Sequence, residues 1–272
     1  MSKPYSGPLK AVILDWAGTT VDYGCFAPVA VFINVFKRQG VEISIAQARA
    51  PMGLEKRAHI RAITQQPEVS AAWERAHQRV PNEDDIDKMY QDSVTVQKAV
   101  VADYAELIAG TLRVVTECRK RGLKIGSTTG YSQSIMEVLV AAAAAQGYSP
   151  DAVVCPSDVP AGRPCPYMIY QNAIQMNVYP MAAVVKVGDT VPDIEEGLNA
   201  GTWVVSVTQS GNSLGLSAAD VAALSEDELS AYLAPIERQM RAAGAHYVIG
   251  SIADLPPVLE DIEKRLHSGE QP

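Results

Sequence analysis

Residues 10–20 read KAVILDWAGTT, an apolar run that ends in a carboxylate and is followed by a turn of small residues. A run of this kind suits a strand that is buried on both faces, as in a parallel sheet. Such sheets bind their ligands beyond the carboxyl ends of the strands, where Asp15 stands. Taken alone the signal is weak, because an Asp at a strand end more often caps a turn or a helix.

The strand pattern recurs along the chain and alternates with helical spacing. Short β-branched runs lie at 123–128, 182–189 and 202–207, with shorter ones at 152–155 and 246–249. Helical patterns lie between and after them, at 105–121, 132–146, 167–176, 192–200 and 255–266. This alternation predicts an α/β fold with a doubly wound, mainly parallel sheet.

One long stretch interrupts the alternation. Residues 27–102 contain helical patterns at 29–38, 45–50, 54–64, 70–79 and 83–100, and no convincing strand. We therefore predict an inserted all-helical cap domain, residues 25–102, on an α/β core built from residues 1–24 and 103–272. Hinges are expected at 22–27 and 101–104, so that the cap can move over the active edge of the sheet.

Composition and charge exclude several classes of protein. The 272 residues are 47% apolar and 20% charged, with a net charge of −8 and no basic run, so we expect no nucleic-acid partner. The longest apolar stretch, 135–145, is too short to span a membrane, and residues 1–8 lack the apolar region of a secretory signal. We expect a cytoplasmic protein whose four scattered cysteines are free thiols.

A second predicted strand also ends in a carboxylate. Residues 188–193 read GDTVPD, which places Asp189 at the strand end and Asp193 just after a Pro that favours a helix start. Together with Asp15, these side chains would repel one another unless an oxygen-preferring cation such as Mg²⁺ neutralised them. On its own, Asp193 is better explained as a carboxylate stabilised at a helix N-terminus.

In their order along the chain, these motifs resemble those of the haloacid dehalogenase superfamily. The resemblance rests on Asp15-x-x-Gly-Thr, on Thr129 at the end of the next core strand, and on the Asp189 to Asp193 motif. It implies that the first Asp attacks the electrophile, that a Thr and a basic residue hold the phosphoryl group, and that the acidic pair secures Mg²⁺. The phosphatases of the superfamily carry a general acid two residues after the nucleophile, and here that position is Ala17.

The predicted cap offers a different reactive group. Residues 52–59 read MGLEKRAH, and at 100° per residue Met52, Lys56 and His59 fall on one helical face, with Gly53 allowing a close approach. Most lysines are solvated, and a solvated Lys56 is the simpler interpretation. A lysine beside apolar groups could instead be desolvated, and its neutral amine could then attack a carbonyl carbon.

The chain further resembles the phosphonoacetaldehyde hydrolase (phosphonatase) family, which degrades a phosphonate. The resemblance lies in residues 15–20 (DWAGTT), in Met52-Gly53-x-x-Lys56-x-x-His59 and in residues 128–131 (TTGY). It implies a Schiff base between Lys56 and the aldehyde, an aspartyl phosphate on Asp15, and cleavage of a carbon–phosphorus bond. No alkoxide leaves in such a reaction, which accounts for Ala17 in place of the acid.

The family resemblance also assigns supporting residues. Arg163 takes the place of the basic residue that holds the phosphoryl group; an exposed loop arginine is the simpler interpretation, and Lys186 is the alternative. Substrate-binding or supporting positions are Cys25, Met52, Gly53, His59, Thr129, Tyr131 and Arg163, and the positions that hold Mg²⁺ are Asp15, Ala17, Asp189 and Asp193. Backbone amides at Trp16 and Ala17 are further candidates for holding phosphoryl oxygens.

We therefore predict a Mg²⁺-dependent hydrolase of phosphonoacetaldehyde. The alternative within enzymes is a generic capped phosphatase or phosphotransferase for a small phosphorylated metabolite, which leaves Lys56 unused. A catalytically silent binding protein on the same fold is the alternative outside enzymes. The resemblance also implies a homodimer through the cap, for which the apolar pattern at 29–36 is a candidate face unless it forms the core of the cap itself.

Overall fold

Strand β1 (Ala11–Leu14) forms the centre of a six-stranded sheet in the computed structural model, which describes residues 4–272. The other strands are β2 (Lys124–Thr128), β3 (Ala152–Val154), β4 (Val184–Gly188), β5 (Trp203–Val207) and β6 (Tyr247–Ile249). All neighbouring pairs are parallel, in the order β3-β2-β1-β4-β5-β6. This confirms the α/β class and the parallel sheet, while residues 1–3 of the predicted core lie outside the described residues.

The strand order explains where a ligand can bind. From β1 the chain builds one half of the sheet with β2 and β3, and then crosses to the other half with β4, β5 and β6. The order therefore reverses between β1 and β4, and the crevice at their carboxyl ends is the place where doubly wound sheets bind ligands. Leu14 pairs with Val187, and Asp15 N donates to Val187 O at 2.9 Å, so the ends of β1 and β4 lie side by side.

Five helices follow β1, in the region that the sequence predicts to be inserted. They are α1 (Phe26–Arg38), α2 (Ile45–Arg49), α3 (Lys56–Thr64), α4 (Pro67–His77) and α5 (Glu83–Val100). The helical segment, residues 26–100, has its own buried cluster, which includes Phe32, Val35, Phe36, Ile60, Ile63, Trp73 and Met89. The division of the chain into core and cap domains stays a prediction.

The remaining helices follow the helical segment along the chain. They are α6 (Thr111–Lys120), α7 (Gln133–Ala145), α8 (Tyr167–Met176), α9 (Val191–Ala200), α10 (Ala218–Ala223), α11 (Glu226–Ala242) and α12 (Leu255–His267). Helices α10 and α11 lie in a segment for which the sequence predicted no element, and each begins at a serine capping box. Among residues 4–272, no helix combines the length and the apolar character needed to cross a membrane.

The helix predicted over 105–121 begins six residues later than expected. Residues 105–110 form a loop whose backbone pairs with the turn after β1, since Ile108 N donates to Thr20 O at 2.9 Å and Leu107 bridges Val21. Gly110, with a φ of 97°, then starts the helix. The apolar residues of this loop therefore contact the turn after β1 instead of forming one face of a helix.

Candidate active site

Three carboxylates meet in the crevice between β1 and β4. Asp15 follows β1, Asp189 follows β4, and Asp193 stands in the first turn of α9. All three are buried, and one oxygen of each lies within 4.8 Å of the others. Thr190 caps α9 and donates its hydroxyl to Asp193 Oδ2 at 2.5 Å, which fixes this carboxylate toward the crevice. The sequence prediction that these three side chains converge is consistent with this geometry.

Two buried cations face the carboxylates. Arg163, from the loop between β3 and α8, places Nη2 2.6 Å from Asp15 Oδ1 and 3.0 Å from Asp193 Oδ1. Lys186, within β4, places Nζ 2.8 Å from Asp193 Oδ1. In the sequence analysis, Arg163 and Lys186 are alternatives for the basic residue that holds the phosphoryl group. The structure brings both of them to the site. Arg163 is only 5% exposed, so it is not the surface loop arginine of the simpler interpretation.

A buried glutamate and a threonine hold both cations in place. Glu196 Oε2 lies 3.1 Å from Arg163 Nε and 3.2 Å from Lys186 Nζ. Thr128 Oγ1 accepts from Arg163 Nη2 at 2.9 Å and from Lys186 Nζ at 2.7 Å, and donates to Glu196 Oε2 at 3.0 Å. Glu196 and Thr128 therefore hold Arg163 and Lys186 in position.

Burial and charge shift the pKa values of the three aspartates in different directions. Burial raises the pKa of Asp15 and holds that of Asp189 well above its usual value, where the neighbouring aspartates add to the effect. Burial acts on Asp193 too, but the charges of Arg163 and Lys186 outweigh it and lower its pKa. Asp193 is thus the carboxylate that the cations stabilise, and Asp189 is the one whose charge is least compensated.

The donor set fits a divalent metal ion. Four buried acidic side chains, the three aspartates and Glu196, face the two buried cations Arg163 and Lys186, so that the fully ionised set has an excess of two negative charges. An oxygen-only site with this excess suits Mg²⁺, which is commonly held by one or two carboxylates together with waters. A cation at Asp15 and Asp189 would also relieve the repulsion that raises the pKa of Asp189.

Lys56 lies on the opposite side of the same cavity, at the start of α3. Its Nζ lies 4.8 Å from the ring centre of Phe32 and 4.5 Å from that of Tyr131, and the side chain is only 4% exposed. Burial lowers the pKa of Lys56 to about 7, although the carboxylates of Asp22 and Asp15 oppose the shift. The solvated lysine of the simpler interpretation is therefore wrong, and a large fraction of this amine is neutral near pH 7.

The cavity between Lys56 and the carboxylates is small. Its volume of about 30 Å³ leaves room for one or two water molecules. Predicted site residues lining it are Asp15, Ala17, Cys25, Met52, Gly53, Lys56, Thr129, Tyr131, Arg163 and Asp189. Cys25 is buried at the start of α1, and burial holds the pKa of its thiol well above the usual value, so it contributes as a neutral group.

Gly53 brings the helical segment close to the core at Thr190. Its φ is +95°, and a Cβ atom at this position would collide with Thr190 Oγ1, so the predicted role of a close approach is consistent with the structure. The predicted helical face is wrong in one respect. Helix α3 begins at Lys56 and is capped by Glu55, so Met52 and Gly53 lie in the preceding turn rather than on the helix.

His59 lies behind the cavity and does not line it. Its Nε2 donates to Ala48 O at 2.8 Å, and its ring stacks on Phe32 with a centroid distance of 3.9 Å. Burial and the neighbouring Lys56 lower the pKa of His59 to about 3, so the ring stays neutral. The contact of His59 with a substrate stays a prediction, which this geometry does not favour, because the imidazole stacks on the Phe32 ring that Lys56 faces.

Sequence reasoning missed several residues of the site. Glu196 is one helical turn after Asp193, so the spacing Asp193-x-x-Glu196 on α9 was a usable signal. Thr128 was passed over in favour of Thr129, whose hydroxyl accepts from Tyr131 N at 3.1 Å within its own turn. Asp22 is buried after β1 and accepts from Phe26 N and Ala27 N at 3.0 Å, which caps α1. Nothing local in the sequence marks it.

Known proteins resemble the chain over its whole length. The family model for haloacid dehalogenase-like hydrolases matches residues 9–201. A phosphonoacetaldehyde hydrolase from Syntrophobacter fumaroxidans is 52% identical over all of this chain and 98% of its own length. A phosphonoacetaldehyde hydrolase-like protein of the same organism is 50% identical over the same shares.

A solved structure shows the same fold. The phosphonoacetaldehyde hydrolase like protein from Oleispira antarctica superimposes with a TM-score of 0.98 at 42% identity, covering all of this chain and 99% of that protein. Fold, family model and full-length relatives agree with the motifs that converge at the crevice. The chain therefore belongs to the haloacid dehalogenase-like hydrolases and, within them, to the phosphonoacetaldehyde hydrolase family.

Proposed function

We propose that the protein hydrolyses the carbon–phosphorus bond of phosphonoacetaldehyde to give acetaldehyde and phosphate. The single observation that carries the proposal is the placement of a buried amine, Lys56, in one cavity with the Asp15 carboxylate and Arg163. Hydrolysis of a phosphate ester needs no such amine, whereas an imine formed from an aldehyde can accept the electron pair of a breaking carbon–phosphorus bond. The names of the full-length relatives support the same substrate.

The first step is formation of an imine on Lys56. The neutral amine attacks the aldehyde carbon, and the adduct takes up one proton from solvent and loses one water molecule to give a protonated imine. Burial, which lowers the pKa of Lys56 to about 7, supplies the neutral amine. Phe32 and Tyr131, whose rings face Nζ, can then stabilise the positive charge of the imine.

The second step transfers the phosphoryl group to Asp15. A carboxylate oxygen attacks phosphorus, the carbon–phosphorus bond breaks, and its electron pair moves toward the protonated imine to give an enamine. Protonation of the enamine carbon followed by addition of water frees acetaldehyde and Lys56, and a second water hydrolyses the aspartyl phosphate. Because no alkoxide leaves, Ala17 in place of a general acid is compatible with this chemistry.

We further propose that Mg²⁺ binds beside the nucleophile. Asp15, Asp189 and the backbone of Ala17 would hold it, and Asp193 would reach it through water, because its oxygens already contact Arg163, Lys186 and Thr190. When bound, the ion neutralises negative charge on the phosphonate and on Asp15. Arg163 exchanges its ion pair with Asp15 for the phosphonate oxygens, for which its planar guanidinium is suited.

Entry of the substrate requires the cavity to open. A space of about 30 Å³ is too small for phosphonoacetaldehyde, and the helical segment covers it through Gly53 and Lys56. We propose that residues 25–102 act as a cap domain on a core of residues 1–24 and 103–272, which opens for the substrate and excludes water when closed. The hinges lie at 22–27 and 101–104.

We still propose a homodimer, but the apolar pattern at 29–36 does not form its interface. Val29, Phe32, Val35 and Phe36 are buried within one chain, in the core of the helical segment. A homodimer through the cap would need other residues of that segment. Sedimentation of the purified protein gives the mass, and a monomeric mass would remove the dimer from the proposal.

The test is turnover on a substrate panel with Mg²⁺. We expect acetaldehyde and phosphate in equal amounts from phosphonoacetaldehyde, and no comparable rate on phosphate esters of similar size. Preference for a phosphate ester would favour the generic capped phosphatase. Absence of turnover on every phosphonate and phosphate would favour a silent binding protein, and either result would overturn the proposal.

A further inference from the structure

We propose that Arg49 is a positioning residue that couples the docking of the helical segment on the core to the placement of Asp189, through Asn212. This inference rests on the proposed function, because Asp189 matters there as a carboxylate of the metal site. Arg49 itself lies outside the cavity and touches none of the reacting groups. Its contacts connect three parts of the chain that are distant in sequence.

Arg49 is the last residue of α2 and reaches from the helical segment to the core. Its Nη1 donates to Gly24 O at 2.8 Å, to Asn212 Oδ1 at 2.9 Å and to Asn212 O at 3.1 Å. Asn212 returns a hydrogen bond from Nδ2 to Arg49 O at 3.2 Å. One guanidinium thus joins the helical segment to the hinge after β1 and to the loop after β5.

The loop after β5 connects Asn212 to Asp189. Asn212 N donates to Asp189 Oδ2 at 2.7 Å, and this backbone amide stands beside the side chain that Arg49 holds. The same loop is tied to the nucleophile turn, since Ser210 Oγ donates to Gly18 O at 2.7 Å. Gly24 N, in the hinge, donates to Ser210 O at 2.8 Å. Hinge, loop and Asp189 therefore form one connected network.

The fit of Arg49 against the loop is tight. Gly215 has a φ of +64°, and a Cβ atom there would lie 2.8 Å from Arg49 Cζ. If the helical segment swings away at the hinge, Arg49 leaves Asn212, and the loop loses the contact that holds its backbone amide against Asp189. Closure and correct placement of Asp189 are therefore achieved together.

The test compares Arg49→Lys and Arg49→Ala with Arg61→Ala as the matched control. Arg61 is also a cation of the helical segment, but its partner Glu83 lies in the same segment, so its loss leaves the contact with the core intact. Hydrogen exchange by mass spectrometry, Mg²⁺ binding by calorimetry and turnover are measured on each full-length variant. Lysine keeps the charge but cannot reach the three acceptors together.

We expect both Arg49 variants to exchange faster at 22–27 and 208–215, with the sheet unchanged. We also expect Mg²⁺ to bind about 10- to 100-fold more weakly and kcat/KM to fall by a similar factor. Arg61→Ala should match the parent protein in all three readouts. Exchange that rises only within α2, with Mg²⁺ affinity unchanged, would overturn the inference. If Arg49→Ala does not fold, the results for Arg49→Lys alone test the inference.

The inference and the proposed function fail in different ways. Hydrogen exchange and calorimetry need no substrate, so they test the coupling even if phosphonoacetaldehyde is not turned over. Parent protein that lacks turnover overturns the function, whereas Arg49 variants that bind Mg²⁺ like the parent overturn the coupling.

Discussion

The two sides of the cavity treat their charged groups in opposite ways. On the sheet side, Asp193 and Glu196 pair with Arg163 and Lys186 at distances of 2.8 to 3.2 Å. On the side of the helical segment, Lys56 Nζ lies over the rings of Phe32 and Tyr131. Dense pairing holds a charged group in one place and one protonation state, whereas desolvation makes an amine easy to deprotonate.

In the proposed reaction, this difference corresponds to two chemical tasks. The sheet side must hold a doubly negative phosphonate and a nucleophile, which requires fixed charge. The side of the helical segment must supply a neutral amine that becomes a cation during the reaction, which requires a low pKa and rings that tolerate positive charge. If the account is right, substitutions on one side should leave the chemistry of the other side intact.

Asp15→Asn should have the largest effect. Loss of the nucleophile should lower kcat by at least about 10⁴-fold, because no aspartyl phosphate can form. The amide keeps the size of the side chain, so Lys56 should still form an imine with the substrate. Phosphate release and reductive trapping, measured on the same sample, separate the two steps. Loss of trapping in this variant would contradict the independence of the two sides.

Lys56→Arg should give the next largest loss, of at least about 10³-fold in kcat. Arginine keeps the positive charge but cannot form an imine. The matched control is Lys88→Arg in α5, since this position does not line the cavity. Phosphate release at saturating substrate is the measurement. If Lys56→Arg retains full activity, the generic phosphatase replaces the proposed function.

Glu196→Gln should lower kcat/KM by about 10- to 100-fold. The amide keeps one acceptor for Thr128 but removes the charge that holds Arg163 and Lys186. Since the effect reaches the substrate only through these cations, KM for phosphonoacetaldehyde should rise. The rate of imine formation at saturating substrate should match that of the parent protein. An equal loss in imine formation would show that the two sides are not independent.

The pH dependence should report on Lys56. With a pKa of about 7, the amine is half neutral near pH 7, and its neutral fraction levels off about one pH unit higher. Trapping should therefore fall about tenfold for each pH unit below the pKa and be nearly constant above it. Stopped-flow mixing with an aldehyde that lacks the phosphonate group gives the rate of imine formation at each pH. A rate that keeps rising toward pH 10 would indicate a lysine with the ordinary pKa of a solvated amine.

Lys56→Met should have the smallest effect, a rise in Tm of about 2–4 °C. Methionine fills a similar volume between Phe32 and Tyr131 without the cost of burying an amine. Calorimetry of the parent protein and the variant at pH 6, where the parent amine is mostly charged, gives the largest difference. A lower Tm for the variant would mean that the amine stabilises the fold, which contradicts the desolvation argument.

Local patterns predicted much of the fold and part of the site. Buried parallel strands leave apolar runs in the sequence, so β1 and the two strand-end aspartates could be located from residues 10–20 and 188–193. The loop at 105–110 could not, because its apolar residues pack against the turn after β1, a contact between distant parts of the chain. Lys186 and Glu196 were missed or left open for the same reason. A buried strand residue and a helical glutamate look structural until the fold places them beside Arg163.

The central claim is that Lys56 forms a covalent imine in the same cavity in which Asp15 takes the phosphoryl group. Borohydride reduction in the presence of phosphonoacetaldehyde, followed by peptide mass mapping, tests it most directly. The account predicts an added mass on the peptide that contains Lys56, and none on the Lys56→Arg variant. Release of phosphate without any adduct at Lys56 would contradict it.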